Sequence, residues 1–158
     1  MCCNRDMRTL ERKIPPAALV LLFAVLMWLV STSEALTIAI PRRTTIAAIF
    51  WSAGFAITFG GLLEFRRAKT TVNPITPEAT TALVTSGFYR FTRNPMYLGF
   101  LFALVGWAVF LSHLLAFALL PFFVLYMNRF QIEAEERALS AKFGEQFNEY
   151  RQSVRRWL

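Results

Sequence analysis

Four long stretches without a charged residue constrain this chain more than anything else in it: Ile14–Val30, Thr45–Leu63, Pro95–Leu111 and Leu114–Met127. A bilayer core takes about 20 consecutive apolar helical residues, with about 17 as a working minimum. The first three stretches reach that length, and the fourth reaches it if its helix continues past Met127. The chain has 158 residues, of which 56% are hydrophobic, and its mean hydropathy is +0.43. These features predict an all-α fold: a polytopic membrane protein with four transmembrane helices, the last two forming a hairpin, followed by cytoplasmic C-terminal helices.

The first apolar stretch follows a basic front (Arg5, Arg8, Arg12, Lys13), but no small-x-small cleavage site precedes the polar Ser31–Glu34. It reads as a retained helix, with Ala35–Ile40 lying along the outer interface. With the N-terminus inside, every one of the 17 basic residues except Arg42 and Arg43 falls on the cytoplasmic side. That asymmetry is the positive-inside pattern, so the net charge of +7 is explained by topology and not by nucleic acid. Cys2 and Cys3 have no metal or redox spacing, and no apolar region precedes them as in a lipoprotein signal. No metal ligand set is evident.

The chain forms a single membrane domain, residues 1–158. Residues 1–86 hold the N-terminal helices and a polar cytoplasmic loop, Glu64–Thr85, in which Asn73-Pro74 and Thr76-Pro77 break any helix. Residues 87–158 hold the hairpin and the C-terminal helices. Ser112-His113 is the polar interruption between the last two apolar stretches, so the reversal belongs there, with His113 solvated or capping. Helix formers continue beyond Met127 until Gly144, a C-terminal cap. A second short helix then carries Phe147, Tyr150, Val154 and Trp157 on one face, with basic Arg151, Arg155 and Arg156 suited to a membrane surface.

The hairpin brings two distant clusters together. Asn94 lies about 18 residues before the turn, and the same distance forward reaches about position 131. "TRNPMYLG" should therefore lie beside "NRFQIEAEER". Asn94 suits an N-cap and Pro95 the first helical position, and such a helix start favours a carboxylate or phosphate. Arg90 and Arg93 add positive charge, Tyr97 an aromatic face or hydroxyl, and Gly99 room for a ligand or another helix. Across the hairpin, Arg129 stands at the membrane edge, and Glu133, Glu135 and Glu136 offer acceptors for hydroxyls or an amine. A zwitterionic ligand with sugar hydroxyls suits an anion-binding end beside an acidic end.

The stretch "SGFYRFTRNPMYLG" followed by "EAEERALSAKFGEQFNEYRQSVRRWL" resembles the isoprenylcysteine carboxyl methyltransferase family, a broad group that includes phospholipid methyltransferases, and looks like a bacterial-type member. The pattern is Arg-His-Pro-x-Tyr-x-Gly, then Glu-Glu-x-x-Leu, then Phe-Gly, Tyr-containing and Val-x-Arg-like elements. Here Arg93-Asn94-Pro95-Met96-Tyr97-Leu98-Gly99, Glu135-Glu136-Arg137-Ala138-Leu139 and Phe143-Gly144 match it, over roughly Gly87–Leu158.

The resemblance implies an integral-membrane methyltransferase of a bacterial inner membrane, with both termini cytoplasmic and S-adenosylmethionine bound at the cytoplasmic ends of the helices. It places Arg93, Asn94, Pro95, Tyr97, Gly99, Glu135 and Glu136 at the cofactor, and Arg129 with Glu135 at the methyl acceptor. The acceptor is expected to be a carboxylate, thiol or amine on a lipophilic or small molecule, with membrane lipids as the other partner. Asn94 departs from the pattern's histidine and cannot titrate near neutral pH. A non-enzymatic membrane interaction or assembly protein retaining the fold is the competing reading. A transporter is disfavoured because the spans lack intramembrane charges.

Overall fold

The computed structural model describes residues 14–68 and 82–158. The basic front, Cys2, Cys3 and both Pro-containing pairs of the polar loop lie outside these residues. The described elements are α1 (Pro16–Val30), α2 (Arg43–Arg67), a 3-10 turn (Gly87–Arg90), α3 (Pro95–Leu111), α4 (Leu114–Tyr126), a π turn (Met127–Ile132), α5 (Glu133–Phe143) and α6 (Glu145–Ser153). α4, the π turn and α5 form one continuous helix of 30 residues, Leu114–Phe143. The helix formers after Met127 therefore extend the fourth helix as the sequence indicates. That helix and α2, at 25 residues, are long and apolar enough to cross a membrane. α1 and α3 are apolar but shorter, at 15 and 17 residues.

α3 is the central helix. It meets α2 along a seam of small residues, because a side chain at Gly54 or Gly99 would collide with the facing backbone. A Cβ on Gly99 would lie 2.0 Å from Thr58 Oγ1 and 2.6 Å from the Gly54 carbonyl oxygen. Farther along the seam, Pro95 seats on Gly61 and Trp51 on Gly106, and Trp51 Nε1 donates to the Ala103 carbonyl at 3.1 Å. Gly54, Gly60 and Gly61 all pack within the chain, Gly60 against the Phe88 ring.

The other side of α3 faces α1 and α4 through larger residues: Leu19, Phe23 and Met27 of α1, Leu104 and Ala108 of α3, Ala116 and Phe123 of α4, and Met127. The Phe23 and Phe123 rings meet edge to face at 5.4 Å. Large apolar side chains remain exposed on the outward faces, among them Leu21, Val25 and Trp28 of α1, Ile49 and Phe55 of α2, and Phe122 and Leu125 of α4.

The reversal falls at Ser112-His113 as the sequence indicates, with Ser112 at φ 53 capping α3. The expected solvated or capping role of His113 is corrected: its side chain makes no cap bond, and the residue is 1% exposed. The α1–α2 connection folds over the turn instead. Ile38 N–H donates to the Ser112 carbonyl at 2.8 Å and Leu114 N–H to the Leu36 carbonyl at 3.0 Å, while His113 Nε2 lies 2.7 Å from the Ala35 carbonyl oxygen.

Gly144 ends α5 at φ 53, again as the sequence indicates. The second C-terminal helix differs from expectation. It stops at Ser153, and Val154 is extended at φ −125, ψ 136, so Val154 and Trp157 do not continue its face. Phe147 and Tyr150 are 2% and 9% exposed, so that face packs into the protein and is not free to lie on a membrane.

Replacing Gly99 with valine places a branched side chain where Thr58 and the α2 backbone already stand. We expect a loss of about 3 kcal/mol, the upper end of the overpacking range, read as a lower unfolding midpoint in detergent.

Candidate functional site

Pro95 occupies the first position of α3, where its missing N–H leaves no bond unmade. Asn94 holds the N-cap position, but its side chain makes no cap bond. Its Nδ2 instead donates to the Arg156 carbonyl at 3.0 Å, which corrects the expected capping role. The residues just ahead of α3 are thereby turned toward the C-terminal tail.

That tail supplies a row of carbonyls. Arg93 N–H donates to the Arg155 carbonyl at 3.0 Å, Arg93 Nη1 to that of Arg151 at 3.1 Å, and Thr92 Oγ1 to that of Arg156 at 3.2 Å. Tyr150 OH donates to the Tyr89 carbonyl at 2.7 Å, and Trp157 Nε1 to Asn128 Oδ1 at 2.9 Å. Helix α6 ends at Ser153, just ahead of the Arg155 and Arg156 carbonyls that take these bonds.

The hairpin delivers the acidic pair to the same place. Arg93 Nη2 lies 3.0 Å from Glu136 Oε1, with the two side chains 10% and 12% exposed. Arg156 holds Glu136 from the other side, Nη2 to Oε2 at 2.7 Å and Nε to Oε1 at 3.2 Å. One step along, Tyr97 OH donates to Glu135 Oε1. The clusters that the sequence count juxtaposes do meet, but about one helical turn beyond the counted position. Gln131, which the count sets opposite Asn94, donates instead to the Ile14 carbonyl at 2.7 Å, ahead of α1. The π turn accounts for part of this offset, since it takes more residues per turn than an α-helix.

Two guanidinium groups share the single Glu136 carboxylate. Burial pulls the Arg93 guanidinium below the usual arginine range, with Glu136 opposing and Arg156 and Arg151 adding to the fall. Arg93 Nε is buried with no acceptor among the described residues. Burial also pushes the Tyr89 phenol above its usual range, aided by Tyr150 and Glu135. The Tyr150 phenol rises for the same reason against the opposing charge of Arg93.

The remaining residues singled out from sequence sit around this cluster. Arg129 lies in the π turn and pairs with Glu133 at 3.0 Å, both side chains more than a third exposed. Gly99 is one turn into α3, its open side filled by Thr58 and Gly54. Sequence reasoning missed Thr92, Gln131 and the inward role of Arg151, Arg155 and Arg156. Their basic character pointed to a lipid surface, and carbonyl groups leave no signature in a sequence. Among the described residues no group of three His, Cys, Asp or Glu side chains could hold a metal ion.

Removing Glu136 strands Arg93 in a buried position, whereas Glu133 faces an exposed partner. Glu136→Ala is therefore expected to cost about 3 kcal/mol and Glu133→Ala less than about 1 kcal/mol, compared by denaturant unfolding in the same detergent.

Comparison with known proteins places the chain in a family. An uncharacterised protein of Haemophilus influenzae is 44% identical over 63 residues, which are 40% of this chain and the whole of that protein. No solved structure matches. The family model described as phospholipid methyltransferase matches residues 42–146, more than half of the chain, from the start of α2 through the hairpin and the acidic pair. The chain belongs to the phospholipid methyltransferase family.

Proposed function

We propose that this protein is an integral-membrane methyltransferase that uses S-adenosylmethionine at the cytoplasmic ends of α3 and α5. The observation that carries the proposal is the convergence of Arg93 and Tyr97 on Glu136 and Glu135, two clusters distant in sequence and both inside the family match.

The residues present suit the cofactor. The buried Arg93 Nε–H, without an acceptor among the described residues, is what a carboxylate ligand would satisfy, since an unpaired buried donor is costly. Glu135 and Glu136 suit an ammonium or ribose hydroxyls. When bound, the cofactor supplies a methyl group on a good leaving group, so positioning and exclusion of water provide most of the catalysis. Arg93 binds the carboxylate. Tyr97 orients Glu135, which holds a hydroxyl or takes a proton from an amine acceptor. Glu136 keeps Arg93 in place. Asn94 and Pro95 set the chain direction at the helix start, and Gly99 seats that helix on α2. Arg129, half-exposed in the π turn, orients the acceptor or its head group. The acceptor is a carboxylate, thiol or amine on a lipophilic or small molecule, and the family makes a phospholipid head group the first to assay.

All four apolar helices cross the membrane in this reading, with both termini cytoplasmic, in the inner membrane of a bacterium. The exposed apolar faces of α1, α2 and α4 support it, because surfaces of that extent are unfavourable in water. At about 1.5 Å per residue, α1 and α3 span about 22 and about 26 Å, somewhat less than a core of about 30 Å. Local thinning of the bilayer accommodates the difference.

Titration calorimetry on the purified protein should show S-adenosylmethionine binding, weakened at least tenfold by Arg93→Ala or Glu135→Ala. Membranes given methyl-labelled cofactor should transfer label to a lipid, protein or volatile fraction, and the fraction identifies the acceptor class. A folded wild-type protein without cofactor affinity defeats the proposal.

A further inference from the structure

Glu64 is a carboxylate at the end of the long apolar stretch of α2, and it is only 9% exposed. Burying such a group is unfavourable unless it is paired and hydrogen-bonded. Two groups meet this one: Ser86 Oγ donates to Glu64 Oε2, and Arg67 Nη1 lies 2.9 Å from Oε1. Gly60, Glu64 and Arg67 recur at three- and four-residue intervals, so they share one face of α2.

That face clasps the segment by which the chain returns to α3. The Phe88 ring occupies the space that a side chain on Gly60 would need, 2.4 Å from such a Cβ. Gly87 has φ +58, and a Cβ there would lie 2.7 Å from the Glu64 carboxyl carbon. Backbone conformation and the Glu64 carboxylate therefore both require glycine at this turn. Phe65 meets the Tyr89 ring edge to face at 5.4 Å.

The clasp reaches the tail through one hydrogen bond. Tyr89 is fixed by the turn, and its carbonyl takes the Tyr150 hydroxyl at 2.7 Å. From Tyr150 onward the carbonyls of Arg151, Arg155 and Arg156 hold Arg93, Thr92 and Asn94. We propose that Glu64 is a positioning residue for the candidate cofactor site. It acts through the Ser86–Gly87 turn and the Tyr89–Tyr150 hydrogen bond to keep the tail carbonyls on Arg93 and Asn94. The proposal rests on reading the Arg93–Glu136 cluster as the cofactor site. No step of methyl transfer passes through Glu64.

The test uses full-length protein in nanodiscs, with hydrogen exchange of peptides covering residues 88–94 and 150–157 and titration with S-adenosylhomocysteine. The variants are Glu64→Ala, Glu64→Gln, Ser86→Ala and Tyr150→Phe. Ala47→Gly, which loosens the same helix near its other end, is the control for destabilisation alone. Glu64→Ala, Ser86→Ala and Tyr150→Phe should each raise exchange in both peptides at least fivefold and weaken binding by a similar factor. Glu64→Gln, which can still accept from Ser86, should stay within twofold of wild type. Where Glu64→Ala fails to fold, Ser86→Ala and Tyr150→Phe decide the matter. Unchanged exchange in these variants, or an equal rise in Ala47→Gly, overturns the proposal. A wild-type protein that binds no S-adenosylhomocysteine while the exchange pattern holds overturns the cofactor reading and leaves the positioning role standing.

Discussion

The backbone-to-backbone approach of α2 and α3 sets the height of everything else. Helices in an apolar solvent gain little from burying one another's apolar side chains, so they associate by close van der Waals packing of small residues. Gly54 and Gly99 provide that packing so tightly that neither could carry a side chain without displacing main chain. Once those two glycines are in register, Pro95 falls on Gly61, and the start of α3 is fixed beside the last turns of α2. The return segment, Arg93 and the tail are arranged around that fixed point.

The polar cluster at that end has the form that a buried ion pair requires. A guanidinium and a carboxylate withdrawn from water lose more solvation than their attraction alone restores. Here the deficit is offset in part by additional bonds: Glu136 is held by two arginines, and the Arg93 guanidinium also donates to the Arg151 carbonyl. Chain ends are ordinarily the least ordered part of a domain. This one is tied to Tyr89, Thr92, Arg93, Asn94, Asn128 and Glu136, so it is a wall of the candidate site and not an appendage to it.

Much of this arrangement was legible in the sequence, and the failures have specific causes. Ser112-His113 marked the reversal because it alone interrupts a long apolar stretch, and Gly144 marked a helix end because a positive φ suits glycine. From the turn position and helix geometry the meeting of "TRNPMYLG" with the acidic stretch followed. The residue count fell short by about a turn, in part because nothing in "MNRFQI" announces a π turn. Asn94 was legible as a helix start, but a capping residue that turns to a distant carbonyl cannot be read locally. Glu64 looked like the first residue of a polar loop. Only the folded return of the chain makes it a buried anchor.

The π turn has a consequence for how this chain tolerates change in length. Such a turn accommodates one more residue than the regular helix without altering the phase of the helix on either side. Phe123 on one side and Glu135 with Glu136 on the other thus keep their directions while Met127–Ile132 carries the surplus. A deletion within that turn would draw it back to ordinary helix and leave the carboxylates aimed as before. A deletion within α4 or early α5 would rotate them by about 100°. The turn that holds Arg129 can therefore lose a residue without re-aiming the acidic pair, while Met127 and Ile132 in the core and Asn128 under Trp157 keep its sequence constrained.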